Sequence, residues 1–320
     1  MFRNYLTIAI RNLLRYKLYS LINVSGLAIG MACAFLILGF VRFEQTYDAH
    51  HQDADRIYRI IRQVRDEPGG YTETRVNTGA PLLPLIEDGL PGIEHAARLY
   101  ENSGIVRTED SGFVEYRFFF ADPAIFQVFT LPLLQGNPET ALTEPFSVLL
   151  TPAKARKYFG DRNPLGEILH FKKQTFKVTG ILEELPGNSH FHVNFLASFE
   201  SLRAIERPRF FSHWDTRTWT YVKLHEGYLP EALAPALKAI ANTHLDKSSA
   251  DWVGLELQPI KSIHFHRGSA GIEMGKTGSI STLYTLSTLS GVILLIACIN
   301  FMNLSTARSA NRARFSNTDA

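Results

Sequence analysis

Residues 18–41, "LYSLINVSGLAIGMACAFLILGFV", contain no charged residue and no histidine. Wound into a helix at about 1.5 Å per residue they reach roughly 36 Å, longer than the ~30 Å hydrocarbon core of a bilayer. A second uncharged run covers residues 277–307, "TGSISTLYTLSTLSGVILLIACINFMNLSTA", and its apolar centre, 283–304, is long enough as well. The two runs predict transmembrane helices over 18–41 and 282–307. A cleaved signal peptide is the competing reading of the first run. It is disfavoured because the apolar stretch exceeds the usual length of about 7–15 residues and continues as "AFLILGF". "GMAC", ending at Cys33, lacks the leucine that a lipoprotein box needs.

Charge is segregated around these runs. Arg3, Arg11, Arg15 and Lys17 precede the first with no acid among them, and Arg308, Arg312 and Arg314 follow the second against Asp319. The segment between, 42–276, holds 26 Lys and Arg, 30 Asp and Glu, and all 11 histidines. Basic residues near membrane ends stay on the cytoplasmic side, so both termini are expected there and the acidic middle segment outside. Residues 2–17 place Phe2, Leu6, Ala9, Ile10, Leu13 and Leu14 on one helical face. This predicts an amphipathic helix at the inner membrane surface, with a plain extension of the span as the alternative. Both cysteines, Cys33 and Cys298, lie in the predicted spans, so the exported segment must be held by its core rather than by disulfides.

Within that segment, "RIYRIIRQV" (56–64) and "YTETRVN" (71–77) predict strands, "APLLPLIEDGL" (80–90) a helix and "EHAARLY" (94–100) a strand. A second unit follows late: strand 218–225, helix 230–245, strand 252–260. Two β-α-β units at the two ends predict an α+β domain with a split, ferredoxin-like pattern. Its boundaries are expected at about 50–120 and 218–267, with a second subdomain inserted at about 121–217. The insert shows a short helix "PAIFQVF", a strand "FSVLL", a helix "TPAKARKYFG" N-capped by Thr151 with Pro152 first, and a hairpin "EILHFKKQTFKVTGIL". "GSAGIEMGKTGS" (268–279) is the one Gly/Ser-rich stretch and is expected to be a flexible link to the second span.

Several clusters suggest chemistry. "AGIEMGKT" (270–277) loosely fits a phosphate-binding loop, but the helix after it is a membrane span and no strand-Asp partner exists, so it reads as a hinge. His190/His192 and His264/His266 form His-x-His pairs that on a strand could offer two imidazoles each to a metal. No third ligand is placed, and strand-edge histidines are the preferred reading. "HHQDADR" (50–56) lacks the glycine and distal glutamate of a calcium loop and is expected to be a solvated connection. No nucleophile elbow is present, and no enzymatic activity, metal or cofactor is assigned. Basic residues outside the membrane are interleaved with acids, which argues against nucleic acid. The aromatics of "YRFFFADPAIFQVF" are read mainly as core, an exposed subset being a possible protein-binding patch.

Taken together, "FRNYLTIAIRNLLRYKLYSLINVSGLAIGMA", "YDAHHQDADRIYRI" and "FFADPAIFQVFTLPLLQGNPETALTEPFSVLLTPAKARKYFGDRNPLGE" resemble the N-terminal part of a MacB/FtsX-like ABC transporter permease of the Bacteroidota type. "VTGILEELPGNSHFHVNFLASF", "LQPIKSIHF" and "LLIACINFMNLSTARSANRAR" extend the resemblance to about Arg314. It implies a non-catalytic inner-membrane subunit that pairs with a separate cytoplasmic ABC ATPase and with a second permease copy. Such subunits pass ATP-driven movement to a periplasmic domain, for efflux, lipoprotein extraction or control of cell-wall hydrolases, with periplasmic or outer-membrane partners. Coupling is expected at Asn303, Arg308, Arg312 and Arg314, and a hinge at Gly275 and Gly278. Relatives continue past "SANRAR" with a coupling segment and further spans, where this chain has "FSNTDA", so a truncated or frameshifted product is expected. The alternative from another class is a membrane-anchored periplasmic binding or sensing module.

Overall fold

The computed structural model describes residues 11, 17–65, 72–109, 111–214, 216–244, 253–266, 269, 270 and 273–316. Most of the expected amphipathic helix 2–17 lies outside the described residues. The chain divides into two compact units, Met1–Gln45 with Ser279–Ala320, and Thr46–Gly278.

The first unit pairs two helices, Lys17–Gln45 and Ile280–Ser316. Each contains a stretch long and apolar enough to cross a membrane, Ser20–Gln45 and Ile280–Met302. The helices run past the uncharged runs at their C-terminal ends, to Gln45 and Ser316, where no glycine or proline interrupts them. Small residues make the seam: Gly30, Ala34, Ser290 and Ala297 are buried between the helices. A Cβ on Gly30 would stand 2.7 Å from the Ala297 Cβ, and the Ser290 Oγ donates to the Ala34 carbonyl at 3.3 Å. Apolar side chains gain little by leaving lipid for one another, so such close backbone approach is what holds membrane helices together. Gly30→Leu is therefore expected to separate them. In a background with Cys33 and Cys298 replaced by serine, disulfide cross-linking of Ala34→Cys with Ser290→Cys should fall on the order of ten-fold on adding Gly30→Leu.

The second unit is built on one sheet of 12 strands. The strands are β1 (Ile57–Arg65), β2 (Thr72–Arg75), β3 (Ile93–Arg107), β4 (Gly112–Ala121), β5 (Leu133–Gln135) and β6 (Ser147–Leu150). They continue with β7 (Ile168–Phe171), β8 (Gln174–Leu182), β9 (Phe195–Ser198), β10 (Thr218–Leu224), β11 (Val253–Pro259) and β12 (Ser269–Ala270). At one end of the sheet the order is β11-β1-β10-β3, every neighbour antiparallel. With helices Leu82–Gly89 between β1 and β3 and Ala234–His244 between β10 and β11, this is the ferredoxin-like β-α-β-β-α-β arrangement. Leu82, Leu83 and Ile86 of the first helix and Leu237 and Ala241 of the second close one face over Ile60, Ala96, Val222 and Leu255.

Everything between β3 and β10 is inserted into that frame. The pairings β3-β4, β4-β9, β9-β6, β6-β8, β8-β7 and β7-β3 run in a circuit, so these six strands close on themselves as a small barrel. Its interior is filled by Phe118, Phe120, Phe171, Phe176 and Phe195 with Val148, Leu150 and Val178, as barrels of this size must be. Gly104 gives the Phe171 ring its room here, since an added Cβ would stand 3.0 Å from the ring and force it to shift. The expected boundary near residue 120 thus falls at the end of β4, which belongs to the barrel wall. The β7–β8 hairpin turns on Lys172 and Lys173, both at positive φ (47° and 68°), a type I′ geometry usually given to Asn-Gly. Thr151 does occupy the N-cap, but its side chain makes no capping bond; Pro152 sets the start of the helix instead. "FFF" reads as core as expected, while Tyr116 beside it is exposed.

Candidate functional site

Three segments that the sequence keeps far apart meet at the root of the second unit, next in the chain to the two apolar helices. The first is the loop after Gln45. Asn188 donates its side-chain amide to the Thr46 carbonyl at 2.8 Å, and the Asp48 N–H donates to the Asn188 carbonyl at 2.8 Å. Asp48 adopts a positive φ of 57°, which aspartate tolerates better than most residues, and is fully buried. Its Oδ1 accepts from both the backbone N–H of His190, at 3.0 Å, and the ring Nδ1 of His190, at 2.8 Å.

From His190 the contacts pass into the sheet. Its Nε2 lies 2.8 Å from the Tyr221 hydroxyl. Tyr221 on β10 stands opposite Arg59 on β1, and Arg59 stands opposite Gln258 on β11. Arg59 is wholly buried, and its guanidinium bonds Glu273 and Gln258 as well as the Tyr221 hydroxyl. Nη1 and Nη2 hold both carboxylate oxygens of Glu273 at 2.7 and 3.0 Å, while Nε and Nη2 donate to Gln258 Oε1 at 3.1 and 2.8 Å. Glu273 opens the segment that leads to the second apolar helix. That segment is fixed at three further points. A Cβ on Gly275 would stand 2.3 Å from the His190 carbonyl, so only glycine fits. The Gly278 N–H donates to the His264 carbonyl at 2.6 Å, and His264 Nδ1 lies 3.0 Å from the Lys276 carbonyl. Finally the His264 ring stacks on Tyr47 with centroids 3.4 Å apart.

The electrostatics are consistent with a fixed relay. Burial works against ionising Asp48, but the charge and hydrogen bonds of His190 outweigh it and hold the carboxyl below its usual range. An ionised carboxylate only accepts, so His190 Nδ1 donates to Asp48, while Nε2 is hydrogen-bonded to the Tyr221 hydroxyl. Burial pushes the Tyr221 phenol up, keeping it a donor. Burial alone would lower Arg59, yet Glu273 more than compensates and raises it.

Several expectations change here. Neither His-x-His pair lies on a strand: His190 and His192 are in the loop before β9, and His264 and His266 follow the short helix Ile260–Ile263. "HHQDADR" is not simply a solvated connection, for His51 and Ala54 are buried and only Gln52 and Asp55 are exposed. The link 273–278 is anchored at the points just described, so Gly275 answers first to close approach. Asn303, Arg308, Arg312 and Arg314 all lie on the helix Ile280–Ser316, distant in sequence from these contacts. Among the described residues, no group of three or more His, Cys, Asp or Glu side chains is placed to hold a metal ion. Asp48, Arg59, Tyr221 and Glu273 escaped the sequence reading. The one available signal was Arg59 itself, a cation in the middle of an apolar strand.

The model of the family described as the MacB-like periplasmic core domain matches residues 20–240. This chain belongs to that family. The family match spans the first apolar helix, the ferredoxin-like frame up to the Ala234–His244 helix, and the whole inserted barrel. It identifies the second unit as the periplasmic domain of an ABC transporter permease of the MacB/FtsX-like type. Among solved structures, a domain of a Porphyromonas gingivalis protein classed as a permease shares the fold at TM-score 0.58 and 22% identity, covering 73% of this chain and 98% of that one. The periplasmic region of MacB from Actinobacillus actinomycetemcomitans aligns at TM-score 0.47 and 14% identity, over 66% of this chain and 91% of that one. The extracellular domain of the ABC-type transporter YknZ from Gram-positive bacteria aligns at TM-score 0.45 and 16% identity, over 62% and 98%. No curated protein matches the chain.

Proposed function

We propose that this MacB-like chain works as a permease subunit that passes movement of its membrane helices to the periplasmic domain, without catalysing a reaction itself. The observation that carries the reading is the root network. The segment that follows the first apolar helix is hydrogen-bonded to His190 through Asp48. The one that precedes the second packs Gly275 against the His190 carbonyl and bonds Arg59 through Glu273, so that His190, Tyr221 and Arg59 tie both to the central strands β1, β10 and β11. A displacement of either segment would therefore load the sheet through bonds rather than through a slack linker. Gly275 and Gly278, pinned in this way, would pass such a displacement on rather than absorb it.

In this reading the helix ends bearing Asn303, Arg308, Arg312 and Arg314 face the cytoplasm and engage a separate ABC ATPase, and two copies of the permease act together. The work done in the periplasm would be efflux, extraction of a lipoprotein or control of an envelope enzyme. The test is affinity capture of the full chain from native membranes, with mass spectrometry and a vanadate-sensitive ATPase assay on the captured material. An ABC-type ATPase is expected, and its recovery should drop on replacing Arg308, Arg312 and Arg314 together by glutamate. Capture of the chain in good yield with no ATPase would sink the permease role and favour a membrane-anchored sensing module.

A further inference from the structure

Beside the relay sits a histidine whose surroundings demand that it be uncharged. His51 is 2% exposed, and its Nδ1 accepts a hydrogen bond from the backbone N–H of Thr130 at 3.3 Å. An imidazole that accepts at Nδ1 carries its only proton on Nε2, and here Nε2 is buried without a hydrogen-bond partner. A second proton could enter only at Nδ1, which would set two donors against each other and put a charge in a site with no acceptor for it. The ring lies 4.0 Å from that of His50 and 5.0 Å from that of Phe129. Of the ionisable groups around it, His50 and His190 oppose a further positive charge and Asp48 favours one. On the 129–130 side Phe129 and Thr130 do not titrate. The same contact closes the loop: Gln52 N–H donates to Thr130 Oγ1 at 2.8 Å, and Ala54 N–H to the His51 carbonyl at 3.2 Å.

We propose that His51 is a proton-operated release for loop 46–52: acid protonates it, the bond to Thr130 is lost, and the loop leaves the sheet unit. The inference does not depend on the permease reading, because loop opening is a property of the chain alone. The direction follows from linkage. With its folded-state value lowered by burial from 6.5 to about 3, His51 gives stability that is whole above pH 6.5 and is lost as the pH falls below it. Opening should thus rise by nearly ten-fold per pH unit below 6.5, reaching about 30-fold at pH 5 relative to pH 8.

The experiment is hydrogen exchange of the full chain in nanodiscs between pH 8 and pH 5, corrected for intrinsic exchange, following peptides over 46–52 and 128–132. Wild type should show this rise in both peptides, with the barrel hairpin 168–182 unchanged. His51→Asn keeps an acceptor near the Nδ1 position without titrating and should flatten the profile. If that variant does not fold, His51→Gln, whose amide oxygen can also accept there, takes its place. His50→Asn, which removes the loop's other imidazole with buried ring nitrogens, should leave most of the slope standing. A flat wild-type profile, or one that His51→Asn leaves as steep, overturns the proposal.

Discussion

Replacing Arg59 by methionine is expected to destabilise the periplasmic unit by roughly 3–5 kcal/mol, the usual cost of leaving one partner of a buried ion pair behind. The guanidinium side chain is 0% exposed and that of Glu273 14% exposed, so water reaches only one partner, and that partially. Methionine fills similar volume, which keeps the loss of packing small and isolates the electrostatic part. The groups that lose the guanidinium would be the Glu273 carboxylate and Gln258 Oε1, both bonded to Arg59 in the wild type. For a domain of this size the change corresponds to a fall of about 10 °C in the thermal midpoint, read by intrinsic fluorescence of the purified full chain. The double variant Arg59→Met with Glu273→Met should recover most of the loss, because exchanging a whole buried pair for apolar groups is often neutral. Exchange of amides 273–278 should rise in the single variant well below its midpoint. A single-variant cost under about 1 kcal/mol would mean that the return segment is held by the Gly275 and Gly278 contacts alone, and the load path through β1 would have to be abandoned.

The elements of the ferredoxin-like frame were legible because local pattern specifies them. Strands β1, β10 and β11 and the helices Leu82–Gly89 and Ala234–His244 each carry their own period, and two β-α-β units at the ends predict a split frame. Closure of the barrel was not legible. It depends on the parallel pairing of Phe118–Ala121 with Phe195–Ser198 and on a two-residue contact of Val106 and Arg107 with Phe171 and His170. No turn or spacing announces pairings between segments so far apart. The site escaped for the same reason. Asp48 and His190 are 142 residues apart and Arg59 and Glu273 are 214 apart, so no local pattern joined the partners. Periodicity reports which face a residue takes, not which distant chain will cover it.

Phe118→Ala is expected to be the most damaging truncation in the barrel, and it separates the two halves of the unit energetically. The Phe118 ring stacks on Phe171 at 4.0 Å and Phe195 at 5.2 Å, and meets Phe176 edge-on at 5.8 Å. Removing it deletes the centre of an aromatic stack in a closed space that cannot collapse, which costs about 3–5 kcal/mol. Yet residues 118–121 of β4 are buried on both faces, and alternate residues there serve different cores. Phe118 and Phe120 fill the barrel, whereas Phe119 and Ala121 join Leu99, Phe129, Phe191 and Tyr221 on the other side of the sheet. A void at Phe118 thus weakens the wall that the barrel shares with the frame without touching His190 or Tyr221. The midpoint should fall by about 10 °C, again by fluorescence, while exchange at 46–52 and 273–278 in the native state stays at its wild-type rate. If those root amides open in step with the barrel, the unit behaves as one cooperative block, and a cavity in the barrel would be felt at the helices' attachment points. If they do not, the root is a separately stable clamp, the property a part that must transmit force without yielding would need.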